Sequence, residues 1–66
     1  MGKLYNVEIQ NNTTRERYEL VSLGDDVQQV HKKVLYSNIN RNETILNIKY
    51  QDQVLFDNDV GFYYEY

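Results

Sequence analysis

Between residues 25 and 36 the apolar positions are Val27, Val30 and Val34. That i, i+3, i+7 spacing is the period of a helix with one buried stripe. Asp25 or Asp26 is placed to cap its first N–H groups and to favour the positive end of the helix dipole. Ser37 and Asn38 are stop residues, because asparagine tolerates the left-handed conformation that ends many helices. The opposite face carries Gln29, Lys32, Lys33 and Tyr36, so this helix has a core side and a polar side with a tyrosine at its far end.

Elsewhere the period is two. Residues 3–10 place Tyr5, Val7 and Ile9 on one side and Asn6, Glu8 and Gln10 on the other, the pattern of a half-buried strand. Asn11, Asn12, Thr13 and Thr14 are turn material. Residues 15–23 alternate again, with Tyr18 and Leu20 on one face and Arg17, Glu19 and Val21 on the other. Two strands around a short polar loop predict an antiparallel hairpin, which Gly24 closes before the helix. After the helix, residues 38–42 read as a loop and residues 43–50 as a strand. Simple alternation there turns Leu46, Ile48 and Tyr50 toward the helix and Ile45, Asn47 and Lys49 outward. Gln51-Asp52 is a weak turn, and residues 53–56 are a short fourth strand or a continuation. Asp57-Asn58-Asp59 is a second turn before an aromatic last segment, residues 60–66. The expectation is an α+β fold: an antiparallel sheet in β-β-α-β order, one helix packed on one face, and a strand-like acidic and aromatic C-terminal tail. It is a single domain over residues 1–66, with its core in about residues 3–56 and its tail in residues 57–66.

Composition narrows the function. A chain of 66 residues has a thin core, since domains near this size bury only about 60% of the surface their unfolded chains expose. Cysteine is absent, so no disulfide or thiolate metal site reinforces it, and self-association or a partner is the open route to more burial. No apolar run approaches membrane-spanning length, and the alternating N-terminus lacks the apolar core of a signal peptide. The expectation is a cytoplasmic protein with no membrane contact. The three Asn-x-Thr triplets, from Asn11, Asn12 and Asn42, are then chance. Net charge is −3, and Asp52, Asp57, Asp59 and Glu65 in the last segment face no Lys or Arg there. That charge disfavours direct nucleic-acid binding, which needs a basic footprint, and suits a partner with a basic surface.

Catalytic chemistry is sparse. His31 is the only histidine, with no cysteine or nucleophile elbow to join it, and it reads as a boundary residue beside Val30 and Val34. No phosphate loop or metal-ligand spacing occurs, so no cofactor is expected and the chain reads as a non-enzyme. Asp57 and Asp59 lack the glycine and closing glutamate of a calcium loop. Seven tyrosines are the unusual feature, because tyrosine combines a rigid contact surface with a polar tip. Tyr5, Tyr18 and Tyr50 have sheet or core roles to fill; Tyr36 lies on the polar helix face, where an interface role is equally open. Tyr63, Tyr64 and Tyr66 either close a sheet edge or contact a partner.

Several strings resemble the small uracil-DNA glycosylase inhibitor family of protein-primed Bacillus phages. They are Tyr5-Asn6-Val7 in the first strand, Tyr18-Glu19 in the second, and Val34-Leu35-Tyr36-x-Asn38 at the helix end. Glu43, Ile45, Leu46 and Ile48 follow, then Val54-Leu55, so the likeness spans about residues 5–55. It implies a homodimeric DNA mimic that occupies the enzyme's DNA-binding groove. In that family a dimer-formed apolar pocket grips the side chain the enzyme inserts into DNA, and acidic groups replace phosphates. Tyr36 matches the helix-end tyrosine of the recognition surface, and Glu19 the second-strand glutamate that links to it across the dimer. Lys32-Lys33 replace a Phe-Glu pair of the family, so negative charge would come from Asp25, Asp26 or the tail. Residues 57–66 have no counterpart there. The implied partner-binding set is Tyr36, Glu19, Lys33, Lys32, Gln29, Asp25 and Asp26. The partner is a host uracil-DNA glycosylase met in the cytoplasm of a bacterial host. The alternatives are an interaction protein that blocks another host nucleic-acid or defence enzyme, and a single-strand binder with tyrosine stacking platforms, which the charge disfavours.

Overall fold

The computed structural model describes residues 2–37 and 42–63. The fold is α+β: a five-stranded antiparallel sheet and one helix. The elements are β1 (Lys3–Asn11), β2 (Arg17–Gly24), α1 (Val27–Ser37), β3 (Glu43–Tyr50), β4 (Gln53–Asp57) and β5 (Gly61–Phe62). In space the strands lie in the order β2-β1-β3-β4-β5. The N-terminal strand is therefore interior, between β2 and β3. Strands β2 and β3 both run antiparallel to β1, and α1 carries the chain across it.

The hairpin between β1 and β2 is shaped by side chains that imitate backbone. Asn11 Oδ1 accepts from the N–H groups of Thr13 and Thr14, and the Asn11 carbonyl accepts from Arg15 N–H at 2.7 Å. Arg15 closes the turn at φ 67°, in the left-handed region. The loop is also tied to the start of β3. Asn12 N–H donates to the Asn42 carbonyl at 2.6 Å, and the Asn12 side chain exchanges hydrogen bonds with the Thr44 hydroxyl.

Helix α1 docks through Val30 and Val34, both buried, with Val27 at its margin. Beneath them lie Tyr5, Val7 and Ile9 of β1, Ile45 and Ile48 of β3, and Phe56 of β4. Each fully buried valine contributes about 1.5–3 kcal/mol. Apart from the tyrosine every residue of this core is apolar, and no charged residue is buried among the described residues. The helix comes close to the end of β2 because Gly24 has no side chain: a Cβ there would stand 2.5 Å from Val30 Cγ2.

Two departures from simple alternation concern this core. Ile45 is buried, 4% exposed, rather than outward. A register shift between Glu8 and Ile9 sets Ile9 against Ile45 and Glu8 against Asn47, leaving Leu46 as an extra residue on β3. That bulge reverses the parity of the strand, so Leu46 is not the inward neighbour of Ile48. A second shift sets Ile48 against Phe56 and Lys49 against Val54, with Leu55 as the extra residue of β4. The turn between β3 and β4 has Gln51 at φ 56°.

The start of the tail joins the sheet. Asp57 Oδ1 accepts from Asp59 N–H and the Asp57 carbonyl from Val60 N–H, and Gly61 continues at φ +97°. Phe62 then lies against Phe56, with ring centroids 4.9 Å apart. His31 packs on both, 4.6 Å from Phe56 and 5.3 Å from Phe62. The histidine is thus part of the helix's seat on β4 and β5, and burial lowers its pKa from the ordinary value. Asn38, most of the expected loop, and Tyr64 to Tyr66 lie outside the described residues. No helix among the described residues is long and apolar enough to cross a membrane.

Candidate functional site

The seven candidate residues fall into three places. At the N-terminal end of α1, Asp26 Oδ1 accepts from Gln29 N–H at 2.8 Å, which makes Asp26 the cap. Gln29 Oε1 accepts in turn from Asp25 N–H at 2.6 Å. Asp26 and Gln29 therefore hold the helix start, while the Asp25 carboxylate remains exposed. Along the outer helix surface stand Lys32, Lys33 and Tyr36. Lys33 Nζ donates to the Leu23 carbonyl at 2.9 Å and so ties α1 to β2. Tyr36 is 77% exposed, the most exposed large hydrophobic side chain described.

Glu19 is elsewhere. It lies opposite Glu8, whose neighbours Val7 and Ile9 point to the helix, so Glu8 and Glu19 project from the other sheet face. Within one chain Glu19 and Tyr36 therefore look out from opposite sides of the molecule.

The open sheet face has an order of its own. The registers set Glu19, Glu8, Asn47 and Asp57 in one row across β2, β1, β3 and β4. Asn47 Nδ2 donates to Glu8 Oε1 at 2.9 Å, and Asn47 Oδ1 is buried without a hydrogen-bond partner. Adjacent strands are about 4.8 Å apart, so the row places three carboxylates within about 15 Å. Like charges directly opposite, such as Glu8 and Glu19, destabilise a strand pair. The next row sets Val21 beside Asn6, Lys49 and Val54. Beyond it, Leu4 faces Leu23. Leu4, Val21 and Leu23 are all more than half exposed, an apolar strip at one end of this face.

The sequence alone did not single out Glu8, Leu4, Val21 or Leu23, and it placed Asp57 only in the acidic tail. Strand alternation placed Glu8 and Val21 outward, but only the pairing register aligns them with neighbours. On the helix face, Tyr18 O–H donates to Glu43 Oε2 at 2.7 Å. That hydrogen bond, then desolvation and the charge of Glu43, raise the Tyr18 pKa above its ordinary value. Among the described residues no ligand-sized pocket opens and no group of side chains is placed to hold a metal ion.

No protein-family model, curated protein or solved structure matches the chain.

Proposed function

We propose that the chain is a homodimeric inhibitor of a host uracil-DNA glycosylase, acting in the bacterial cytoplasm as a DNA mimic and without catalysis of its own. Beside the sequence likeness, the observation that carries this reading is the row of Glu19, Glu8 and Asp57 on the sheet face that no described element covers. Its mutual repulsion is relieved when a basic groove covers it, as phosphates are neutralised by the enzyme. The exposed ring of Tyr36 supplies the apolar contact. Because Tyr36 and Glu19 diverge within one chain, a surface that uses both is assembled from two copies.

A second reading has one specific support. Lys32 and Lys33 place two cations on the helix surface beside Tyr36, where the inhibitor family has a Phe-Glu pair. That surface suits a target with an acidic patch, so a different host nucleic-acid or defence enzyme is the alternative.

The test is uracil excision by a bacterial uracil-DNA glycosylase titrated with the folded protein. Stoichiometric inhibition, two chains per enzyme, supports the first reading. Undiminished excision at excess protein rejects it and favours the second.

A further inference from the structure

Strand β2 is an outer strand of the sheet, and no described element pairs with its outward side. Two hydrogen bonds fix the phase of its free backbone. Asn11 N–H donates to the Glu16 carbonyl at 2.8 Å, so the even-numbered residues of β2 turn their N–H and C=O groups toward β1. Lys33 Nζ, from the helix, donates to the Leu23 carbonyl, which puts the odd-numbered groups on the outward side. The open backbone groups are therefore those of Arg17, Glu19 and Val21, and pairing ends where Lys33 holds Leu23. The side chains of these four residues share the sheet face away from the helix, and all are exposed.

We infer that this edge receives an extended segment of a partner protein as an added strand, antiparallel to β2. An apolar residue of that segment stands opposite Val21, a basic residue opposite Glu19 and an acidic residue opposite Arg17. The inference goes beyond the reading above and stands whichever enzyme is the target.

Charge and apolar surface write the pattern of the segment. Glu19 lies opposite Glu8 on β1, a like-charge pair that weakens strand pairing. A cation on the added strand beside Glu19 offsets that repulsion, and Arg17 calls for a carboxylate two residues further on. At the other end, Val21 and Leu23 stand beside Leu4 as an apolar strip, which two apolar residues of an added strand extend. Main-chain hydrogen bonds then supply affinity and alternate side chains supply specificity. From its N-terminus the segment reads apolar-x-apolar-x-basic-x-acidic. A second β2 laid antiparallel here does not have this pattern. Arg17 opposite Glu19 leaves Val21 opposite Arg15, outside the strand, and Val21 opposite Val21 leaves Glu19 opposite Leu23.

The test is fluorescence anisotropy of labelled peptides titrated with the full chain. The probe is Ile-Thr-Val-Thr-Lys-Thr-Glu with blocked ends, and its control exchanges the lysine and the glutamate at unchanged composition. Saturable binding is expected, about fivefold or more weaker for the exchanged peptide. The double variant Arg17→Glu, Glu19→Arg should reverse that preference. N-methylation of the peptide valine removes the donor to the Val21 carbonyl and should weaken binding about tenfold or more. N-methylation of the threonine before it, whose N–H points away from β2, should change binding little. No saturable binding, equal affinity for the two charge orders, or equal effects of the two methyl groups overturns the inference. So does binding that falls as sedimentation shows the chain self-associating, which gives the edge to a second copy.

Discussion

The hydroxyl of Tyr18 on β2 donates to the carboxylate of Glu43 on β3 at 2.7 Å, over the strand that separates them. The pair clasps three strands at the hairpin end of the sheet. Tyr18→Phe should lower stability by about 1 kcal/mol or less, since the site is exposed and well hydrated. Because the folded pKa of Tyr18 is raised, its contribution is full below the unfolded value near 10 and is lost as pH rises through the folded value. Urea unfolding of both proteins at neutral and alkaline pH checks this: their difference should shrink at high pH.

Gly24 marks the closest approach of helix and sheet. Gly24→Ala brings a methyl group against Val30 Cγ2 and near Gln29 Oε1. It should cost about 1–3 kcal/mol through overpacking. The penalty should be smaller in a Val30→Ala background, where the space is open. A double-mutant cycle by chemical denaturation gives the coupling, and additive effects would mean the contact is not the cause.

Asp25 and Asp26 are neighbours with unequal roles. Asp26→Ala removes the side-chain acceptor for Gln29 N–H and should cost about 1 kcal/mol. Asp25→Ala keeps the backbone N–H that Gln29 accepts and should change stability by half that or less. Thermal unfolding of the two variants ranks them, and the reverse order would move the cap.

His31 makes the seat of α1 on Phe56 and Phe62 sensitive to acid. Its folded pKa lies below the unfolded value near 6.5, so the neutral ring's share of stability is present above that value. It is lost as pH falls toward the folded value. His31→Leu should reduce the fall in denaturation midpoint between about pH 7.5 and about pH 5.5. An unchanged slope would assign the acid sensitivity to carboxylates alone.

Tyr36 separates function from folding. At 77% exposure its ring contributes little to the core, so Tyr36→Ala should leave the unfolding midpoint within about 0.5 kcal/mol of the parent. If it anchors the partner, the same change should weaken inhibition by about 2 kcal/mol or more in affinity. An inhibitor indifferent to this substitution would place the recognition surface elsewhere.

Much of the fold was legible because side chains repeat at two simple periods. The stripe of Val27, Val30 and Val34 and the inward set Tyr5, Val7 and Ile9 follow directly from spacing. Ile45 did not, because the extra Leu46 shifts the phase of β3 and nothing in its apolar neighbourhood announces a bulge. Arg15 and Gln51 adopt left-handed conformations without the glycine or asparagine that usually signals them. The docking of His31 on Phe56 and Phe62 joins distant segments that share no local pattern. The candidate site was legible one residue at a time. That Glu19 and Tyr36 face apart, and that Glu19 aligns with Glu8 and Asp57, needed the pairing register.

The interior position of the first strand, between β2 and β3, also orders events during synthesis. Strand β1 meets β2 through a nearby turn, but Asn6 meets Lys49 and Asn11 meets Glu43 only after most of the chain exists. The hairpin can close locally, whereas bringing β3 alongside β1 requires a long loop to lose its freedom first. A nascent chain on the ribosome therefore holds Tyr5, Val7 and Ile9 bare until Val30 and Val34 follow, and the core stays incomplete until Ile45 and Ile48 have emerged from the exit tunnel. Folding is then a late event, and the newborn hairpin with its apolar face is the species a chaperone would meet.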